Sequence, residues 1–154
     1  MSRCTAGGMI AGLFAADQVI KRHIEENYDE KREEKTRIPH VILRKFYNRG
    51  MIFSSFEKVE DLPLKASVVG LVAIALADLK VFLQKGEKIC KIGLILTTAG
   101  ALSNTYDRIM KGAVVDYIGY DGKCKFLKRL TANLADLYVV LGALLVALRY
   151  ARRK

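Results

Sequence analysis

The sequence predicts an all-α membrane protein with four transmembrane helices and a small extracytoplasmic region of β-like or loop structure. Three observations support this fold class: a high apolar content, its concentration in four blocks, and the placement of most charge between the blocks. Apolar residues make up 51% of the 154 residues, and charged residues make up 27%. A chain this apolar is not disordered, and its length suits one domain better than two, so we expect a single domain over residues 1–154.

The four apolar blocks predict the helices in order. Each block reaches the about 20 residues that span a bilayer once it includes a flanking polar turn. Glycines recur inside the blocks, which suits close helix contact in lipid and is costly in a water-soluble helix. Each block is also apolar on all sides, so a soluble four-helix core is the weaker interpretation. The expected helices cover about 2–20, 64–83, 89–107 and 133–150.

We do not expect the first block to be a cleavable signal peptide. Asp17, Lys21 and Arg22 follow it directly, where a small-residue cleavage site would be expected. We therefore expect this segment to stay in the protein as its first membrane helix.

The polar segments 22–61 and 108–132 are expected on the extracytoplasmic side. The net charge of +10 also admits a soluble, basic, nucleic-acid-binding helical protein. However, the nine basic residues of 22–61 are matched by nine acidic ones, so no long cationic stripe forms there. We therefore expect no nucleic acid partner.

Polar residues at the block edges are candidate functional groups, because ionisable side chains are expensive to bury in a membrane. Asp116 lies in a short β-branched run that predicts a strand. We expect Asp107 to have its helix neighbour Arg108 as its nearest partner. Taken singly, each of the polar clusters listed next could also be a surface ion pair or a helix cap. The clusters are Asp17 with Lys21, Asn104 with Asp107 and Arg108, Asp116, and Asn133 with Asp136.

Two carboxylates, Asp116 and Asp136, should reach the same edge of the bundle from consecutive segments. A pair of carboxylates that shares one proton can hydrolyse a peptide bond without a metal or cofactor. His23 and His40 are the only histidines and have no metal-ligand spacing, so we expect no metal. A serine peptidase built on Ser54 or Ser55 with a lysine is possible only on residue inventory.

Five motifs together resemble signal peptidase II, the lipoprotein signal peptidase of bacteria. They are DQVIK (17–21), NRG followed by Phe53 (48–53), GALSNTYDR (100–108), GAVVDY (112–117) and NLAD (133–136). The resemblance implies a four-helix integral membrane aspartic peptidase without cofactors. It would remove signal peptides from prolipoproteins just before a cysteine that carries diacylglycerol.

The resemblance also implies roles for individual residues. Asp116 and Asp136 would be the catalytic aspartates. The supporting positions would shape the site and contact the substrate backbone. These are Asp17, Lys21, Asn48, Gly50, Asn104, Asp107, Arg108 and Asn133.

The implied location is the bacterial plasma membrane, with several passes and both termini cytoplasmic. The expected partners are diacylglyceryl-modified prolipoproteins and membrane lipids, and the expected state is a monomer. Basic residues do not favour this orientation by number, since the outer segments hold 15 and the inner segments hold nine. The hairpin 85–91 and the tail 149–154 are densely basic and suit the inside.

Four positions depart from the pattern usual in that family. Met51 and Ile52 stand where small residues are common, Ser103 stands where glycine is common, and Ala132 replaces an aromatic residue. These departures leave open a relative that binds lipidated peptides without cutting them.

Overall fold

Four long helices lie where the sequence predicts them. The structure is a computed structural model that describes residues 1–50, 61–84 and 86–152. The first helix runs to Asn27 rather than to residue 20. A short helix, α4 (Lys125–Lys128), was not expected from the sequence. The long helices are α1 (Arg3–Asn27), α2 (Leu62–Phe82), α3 (Lys88–Lys111) and α5 (Leu134–Ala151).

Helices α2 and α5 are, within the described residues, the two that are long and apolar enough to cross a membrane. Few of their side chains are buried inside the protein. Helices α1 and α3, with 25 and 24 residues, are longer than these two, but their charged residues lower their hydropathy. Hydropathy therefore does not confirm the expectation of four membrane spans.

Helix α3 is the central helix and packs against α1, α2 and α5. The contact with α5 is close because glycines face it. A methyl group added at Gly100 would collide with the backbone carbonyl of Ala135, and one at Gly142 would collide with the carbonyl of Gly93. These glycines let two backbones approach each other, as small residues do at helix contacts in membranes.

We expect Gly142→Ala to destabilise the protein by about 1–3 kcal/mol, because the added methyl meets backbone atoms of α3 that cannot turn away. Gly12→Ala is the matched control, because nothing lies within 4 Å of its added methyl. Thermal melts of both variants in detergent check the expectation. Equal melting temperatures for the two variants would show that the α3–α5 contact is looser than described.

The two polar segments form a four-stranded antiparallel sheet, which is the small β-like region that the sequence predicts beside the helices. Its strands follow the order β1 (Glu33–Lys35), β2 (Val41–Asn48), β3 (Val114–Tyr120) and β4 (Thr131–Ala132). Strand β3 is the strand predicted around Asp116. Strand β2 pairs with β3, so the two polar segments of the sequence form one sheet.

The sheet packs onto the end of α1 through a small apolar core. Ile24 of α1 and Tyr28, the residue that follows this helix, pack with Val115 and Tyr117 of β3, and all four are buried. Successive side chains of a strand point to opposite faces. Asp116, between those two residues, therefore points away from this core.

Candidate active site

Asp116 is buried in the sheet and held by two asparagines. Its side chain is 2% exposed. Asn133 donates to Oδ1 over 2.6 Å, and Asn48 donates to Oδ2 over 3.1 Å. Asn48 lies on the neighbouring strand, where it is opposite Val114. The β2–β3 pairing therefore positions the first predicted catalytic carboxylate.

Asp136 lies in the first turn of α5 and closes a capping box with Asn133. Asn133 Oδ1 accepts from the Asp136 backbone N–H over 2.9 Å, and Asp136 Oδ2 accepts from the Asn133 N–H over 3.0 Å. The other carboxylate oxygen, Oδ1, accepts from Asn104 over 2.8 Å. The helix-cap interpretation of this pair is therefore correct, and the cap also orients Asp136.

Asn133 brings the two carboxylates into one network. Its amide nitrogen donates to Asp116 and, over 3.1 Å, to Asn104 Oδ1, while its oxygen caps the helix that carries Asp136. Asn104 in turn donates to Asp136. The two carboxylates predicted to share an edge are thus linked through Asn133 and Asn104.

A buried ion cluster lies behind this network. Lys21 Nζ is 2.8 Å from Asp17 Oδ2 and 2.8 Å from Asp107 Oδ2, and all three side chains are fully buried. Lys21 also donates to Asn104 Oδ1 over 2.9 Å. Because that oxygen accepts from Lys21, the Asn104 amino group is turned toward Asp136. Asp17 and Lys21 are therefore not a surface pair.

Asp107 does not pair with Arg108, which corrects the expectation from the sequence. Adjacent residues on a helix point in directions about 100° apart and do not face each other. Asp107 faces Lys21 of α1 and also lies 3.2 Å from Lys111. Arg108 instead lies along the groove between α2 and α5, and its Nη2 is 3.5 Å from the Gly50 carbonyl oxygen.

Three supporting residues were missed or misjudged from the sequence. Gln18 donates to Ser103 Oγ over 2.8 Å and to Asp107 Oδ1 over 3.2 Å. Ser103, noted as a departure, donates to Asp17 over 2.6 Å and so belongs to the cluster. Tyr117 donates to Asp17 Oδ1 over 3.2 Å. Gln18 lies in the motif DQVIK and Tyr117 lies in the motif GAVVDY, so these motifs were the signal in the sequence that could have identified both residues.

Two of the buried side chains also accept hydrogen bonds from the first backbone N–H groups of α5. The first N–H groups of a helix have no partner inside the helix. Here Tyr117 accepts from the Leu134 N–H over 3.0 Å, and Asp17 accepts from the Ala135 N–H over 3.2 Å. Burial, and next the charge of Asp17, raise the pKa of the Tyr117 phenol, so it stays protonated and keeps donating to Asp17.

The electrostatics of Asp116 suit acid–base chemistry near neutral pH. Burial raises the pKa of Asp116 to about 7, and the charge of Asp136 acts in the same direction. The hydrogen bonds from Asn48 and Asn133 oppose this shift. At pH 7 the carboxyl of Asp116 can therefore be either protonated or ionised at little cost.

Asp136 opens onto a groove of about 430 Å³ between α2, α3 and α5. Most of its lining is apolar, including Leu71 and Ile74 of α2 and Val139 of α5. Its polar side chains include Asn104, Arg108 and Asp136. The groove therefore joins an apolar surface to the carboxylate network.

Two buried polar atoms at the site have no hydrogen-bond partner in the described part of the chain: Asn48 Oδ1 and Arg108 Nε. No group of three or more His, Cys, Asp or Glu residues suited to a metal is found among the described residues. Met51, Ile52, Ser54 and Ser55 lie outside the described residues. Ala132, the remaining departure, pairs with Ile118 in the sheet.

Comparisons with known proteins agree on one family. Residues 9–152 match the family model described as signal peptidase (SPase) II. The lipoprotein signal peptidase of Mesorhizobium japonicum is 33% identical over 138 residues, covering 90% of this chain and 80% of that protein. The lipoprotein signal peptidase of Clostridium tetani is 35% identical over 113 residues, covering 69% and 70%.

The fold is similar to that of a solved structure. A bacterial membrane enzyme determined by the in meso method at 2.3 Å resolution superposes with a TM-score of 0.79. The alignment covers 97% of this chain and 89% of that chain at 21% sequence identity. The arrangement of long helices with a small sheet is therefore that of a known membrane enzyme.

Proposed function

The chain belongs to the signal peptidase II family, and we propose that Asp116 and Asp136 are the catalytic pair of this enzyme. The protein is an aspartic endopeptidase that removes signal peptides from lipoprotein precursors before the diacylglyceryl-modified cysteine. The observation that carries the assignment is the Asn133 bridge, which bonds Asp116 while capping the helix turn that holds Asp136.

The pair performs hydrolysis with one shared proton. The ionised carboxylate takes a proton from water as the water oxygen attacks the scissile carbonyl carbon. The protonated carboxyl donates to the carbonyl oxygen, giving a neutral tetrahedral intermediate. The C–N bond then breaks as one carboxyl group gives its proton to the leaving amine and the other carboxylate takes a proton from a hydroxyl of the intermediate. The new carboxyl group is released, and the pair again holds one proton. Two neighbouring carboxylates do not both ionise cheaply, so the pair retains the single proton that this cycle needs.

The two unpartnered atoms support a role in holding the substrate backbone. Asn48 Oδ1 can accept a peptide N–H, and Arg108 Nε can donate to a peptide carbonyl. A buried polar atom without a partner costs free energy, which a bound peptide would recover. Asn48 also donates to Asp116, so it would fix the peptide beside one carboxylate.

The carboxylates Asp116 and Asp136, both held in the site, favour the alternative in which the protein cleaves lipidated peptides over the one in which it only binds them. The groove reaches Asp136, so an acyl chain lying in it would bring the adjacent peptide to a carboxylate. Ser103, one of the four departures, fits the buried cluster rather than disrupting it. The catalytic pair is intact.

We expect cleavage to require the diacylglyceryl group on the substrate cysteine. Each buried methylene adds about 0.8 kcal/mol of anchoring, so the unmodified precursor would rarely reach the groove. The measurement compares a synthetic prolipoprotein peptide with and without the lipid, at matched concentration in detergent. Comparable cleavage of both peptides would exclude the groove as the lipid site, and cleavage of neither would contradict the proposed function.

We also propose four membrane spans in a single domain, with both termini cytoplasmic in a bacterial plasma membrane. Helices α1 and α3 exceed the about 20 residues that a span requires. Their charged residues Asp17, Lys21 and Asp107 face one another inside the protein, so these charges are not exposed to lipid. A site built by one chain is consistent with a monomer.

Reporter fusions test this topology. A fusion after Glu30 should report the extracytoplasmic side, and a fusion after Lys88 should report the cytoplasm. The two reporters should therefore give opposite signals in the same bacterial host. The same side for both positions would exclude the four-span layout.

A further inference from the structure

The surface loop between β3 and α5 is rich in cationic and apolar side chains that have no role in the peptidase mechanism proposed above. Residues 123–129, which we call the α4 loop, include four cations and surround the short helix α4. The cations are Lys123, Lys125, Lys128 and Arg129, and all are exposed. Phe126 is 60% exposed and Leu127 is 38% exposed among them. The loop therefore presents apolar and cationic side chains together.

The charge of the α4 loop is poorly neutralised by the protein. It contains no acidic residue. Within the described part of the chain, Lys128 forms one exposed ion pair, 3.1 Å from Asp121, and no carboxylate is within ion-pair distance of Lys123, Lys125 or Arg129. Exposed aromatic and aliphatic side chains flanked by cations are typical of segments that lie at a membrane surface.

The loop is held beside the end of a membrane helix. Arg129 is five residues before Leu134, the first residue of α5. Arg44 of β2 donates to the carbonyl oxygens of Lys128 and Leu130 over 3.1 and 3.0 Å. Because this clamp ties the loop to the sheet, the cations stay near the level at which α5 begins.

We propose that the α4 loop is a docking surface for anionic phospholipid headgroups in the leaflet where α5 begins. The cations bind lipid phosphates, and Phe126 and Leu127 lie in the boundary between headgroups and acyl chains. This inference rests on the membrane placement proposed above. Charge complementarity favours this partner, since each cation near an anionic surface adds about fivefold to the affinity.

The docking also bears on the active site through chain continuity. The loop leads directly into β4 and then Asn133, which bridges the two catalytic carboxylates. Lipid bound at 123–129 would therefore set the depth of Asn133 in the membrane. In a bilayer without anionic lipid, the Asn133 bridge would remain intact, but the depth of Asn133 in the membrane would be less firmly fixed.

Cys124 provides a probe at the centre of the loop, because it is exposed while Cys90 is buried. Cys4 is also exposed, so it is replaced in a Cys4→Ser background. An environment-sensitive fluorophore on Cys124 is then measured in nanodiscs of phosphatidylcholine, alone or with phosphatidylglycerol. We expect an emission blue shift that grows with the phosphatidylglycerol fraction and disappears at about 1 M salt, where screening shortens to about 3 Å.

The combined variant Lys123→Gln, Lys125→Gln, Arg129→Gln should lose the lipid-dependent shift. Its matched control carries Lys31→Gln, Lys35→Gln and Arg37→Gln, three exposed cations in and around β1 at the far edge of the sheet. Cleavage in neutral nanodiscs reports whether each variant is folded, and Lys→Arg replacements at 123 and 125 should keep the shift. A shift of equal size in both lipids, or one that survives loss of the three cations, would overturn the proposal. Normal cleavage with no shift would reject the docking surface alone.

Discussion

Asp116→Asn and Asp136→Asn should each abolish cleavage while the protein stays folded in the membrane. Asparagine keeps the size and much of the hydrogen bonding of aspartate, but it cannot take a proton from water or share one. General acid–base catalysis contributes about 10²- to 10⁴-fold, and the two carboxylates act as one unit. Each single variant should therefore lose nearly as much rate as the double variant.

The measurement is a cleavage assay with a thermal melt for each variant. Asp121→Asn is the matched control, because Asp121 follows the same strand but is exposed and pairs with Lys128. A residual rate above about a tenth of wild type, an effect of less than about 1.4 kcal/mol, would show that the dyad is wrongly assigned.

The raised pKa of Asp116 gives the same variant a pH-dependent effect on stability. The folded pKa is about 7, above the value of about 4 expected for an unfolded aspartate. At a pH between these two pKa values, Asp116 is ionised in the unfolded chain but protonated in the folded protein. The wild type therefore loses stability as the pH rises through this range. Asp116→Asn removes this loss. Its gain in melting temperature should therefore be larger at pH 8 than at pH 5.

The rate should follow the same titration. Cleavage needs one proton on the pair, and that proton is lost as the pH rises through about 7. The wild-type rate should consequently fall on the alkaline side. A rate that stays constant from pH 7 to pH 9 would contradict the shared-proton mechanism.

Apolar blocks were sufficient to predict the four long helices, because helix formation in these segments depends on local composition. The extension of α1 to Asn27 had a readable signal as well. Ile20, Ile24 and Tyr28 recur every four residues. Ile24 and Tyr28 are buried in the core under the sheet, and Ile20 packs against that core. The polar residues between them obscured this helical stripe, so the segment was interpreted as part of a loop region.

The sheet was harder to predict, because its pairing is non-local. Strand β2 has β-branched and aromatic residues, yet nothing in its sequence specifies that Phe46 lies opposite Asp116. Side-chain direction was the other source of error. Spacing placed Asp107 and Arg108 on one edge, but only the helix packing shows that Asp107 faces α1 while Arg108 faces the groove.

Lys21→Met should be the most destabilising of the substitutions considered at the supporting positions. Lys21 is fully buried and contacts two carboxylates. Its loss leaves Asp17 without its ion-pair partner and removes one cation that neutralises the charge of Asp107. Breaking a buried ion pair costs about 3–5 kcal/mol, on the order of 10 °C in melting temperature for a chain of this size.

Arg22→Met is the matched control on the same helix. Arg22 also pairs with an acid four residues on, Glu26, but the Arg22 side chain is 77% exposed. Solvent and salt screen an exposed pair of this kind, so it contributes little to stability and the control should melt almost as wild type does. If both variants lost similar stability, the buried cluster would not be the reason.

A double variant separates the lost charge from the lost packing. Asp17→Asn added to Lys21→Met removes the stranded carboxylate, and Asp107 still has Lys111 at 3.2 Å. The double variant should therefore be more stable than Lys21→Met alone, a non-additive result that marks direct coupling.

The activity of the double variant should remain low even at temperatures at which the variant is folded. Without Lys21, one hydrogen bond that turns the Asn104 amino group toward Asp136 is missing, so kcat should fall more than KM rises. Additive losses of stability, or full activity in the folded double variant, would contradict a cluster that both supports the fold and orients the site.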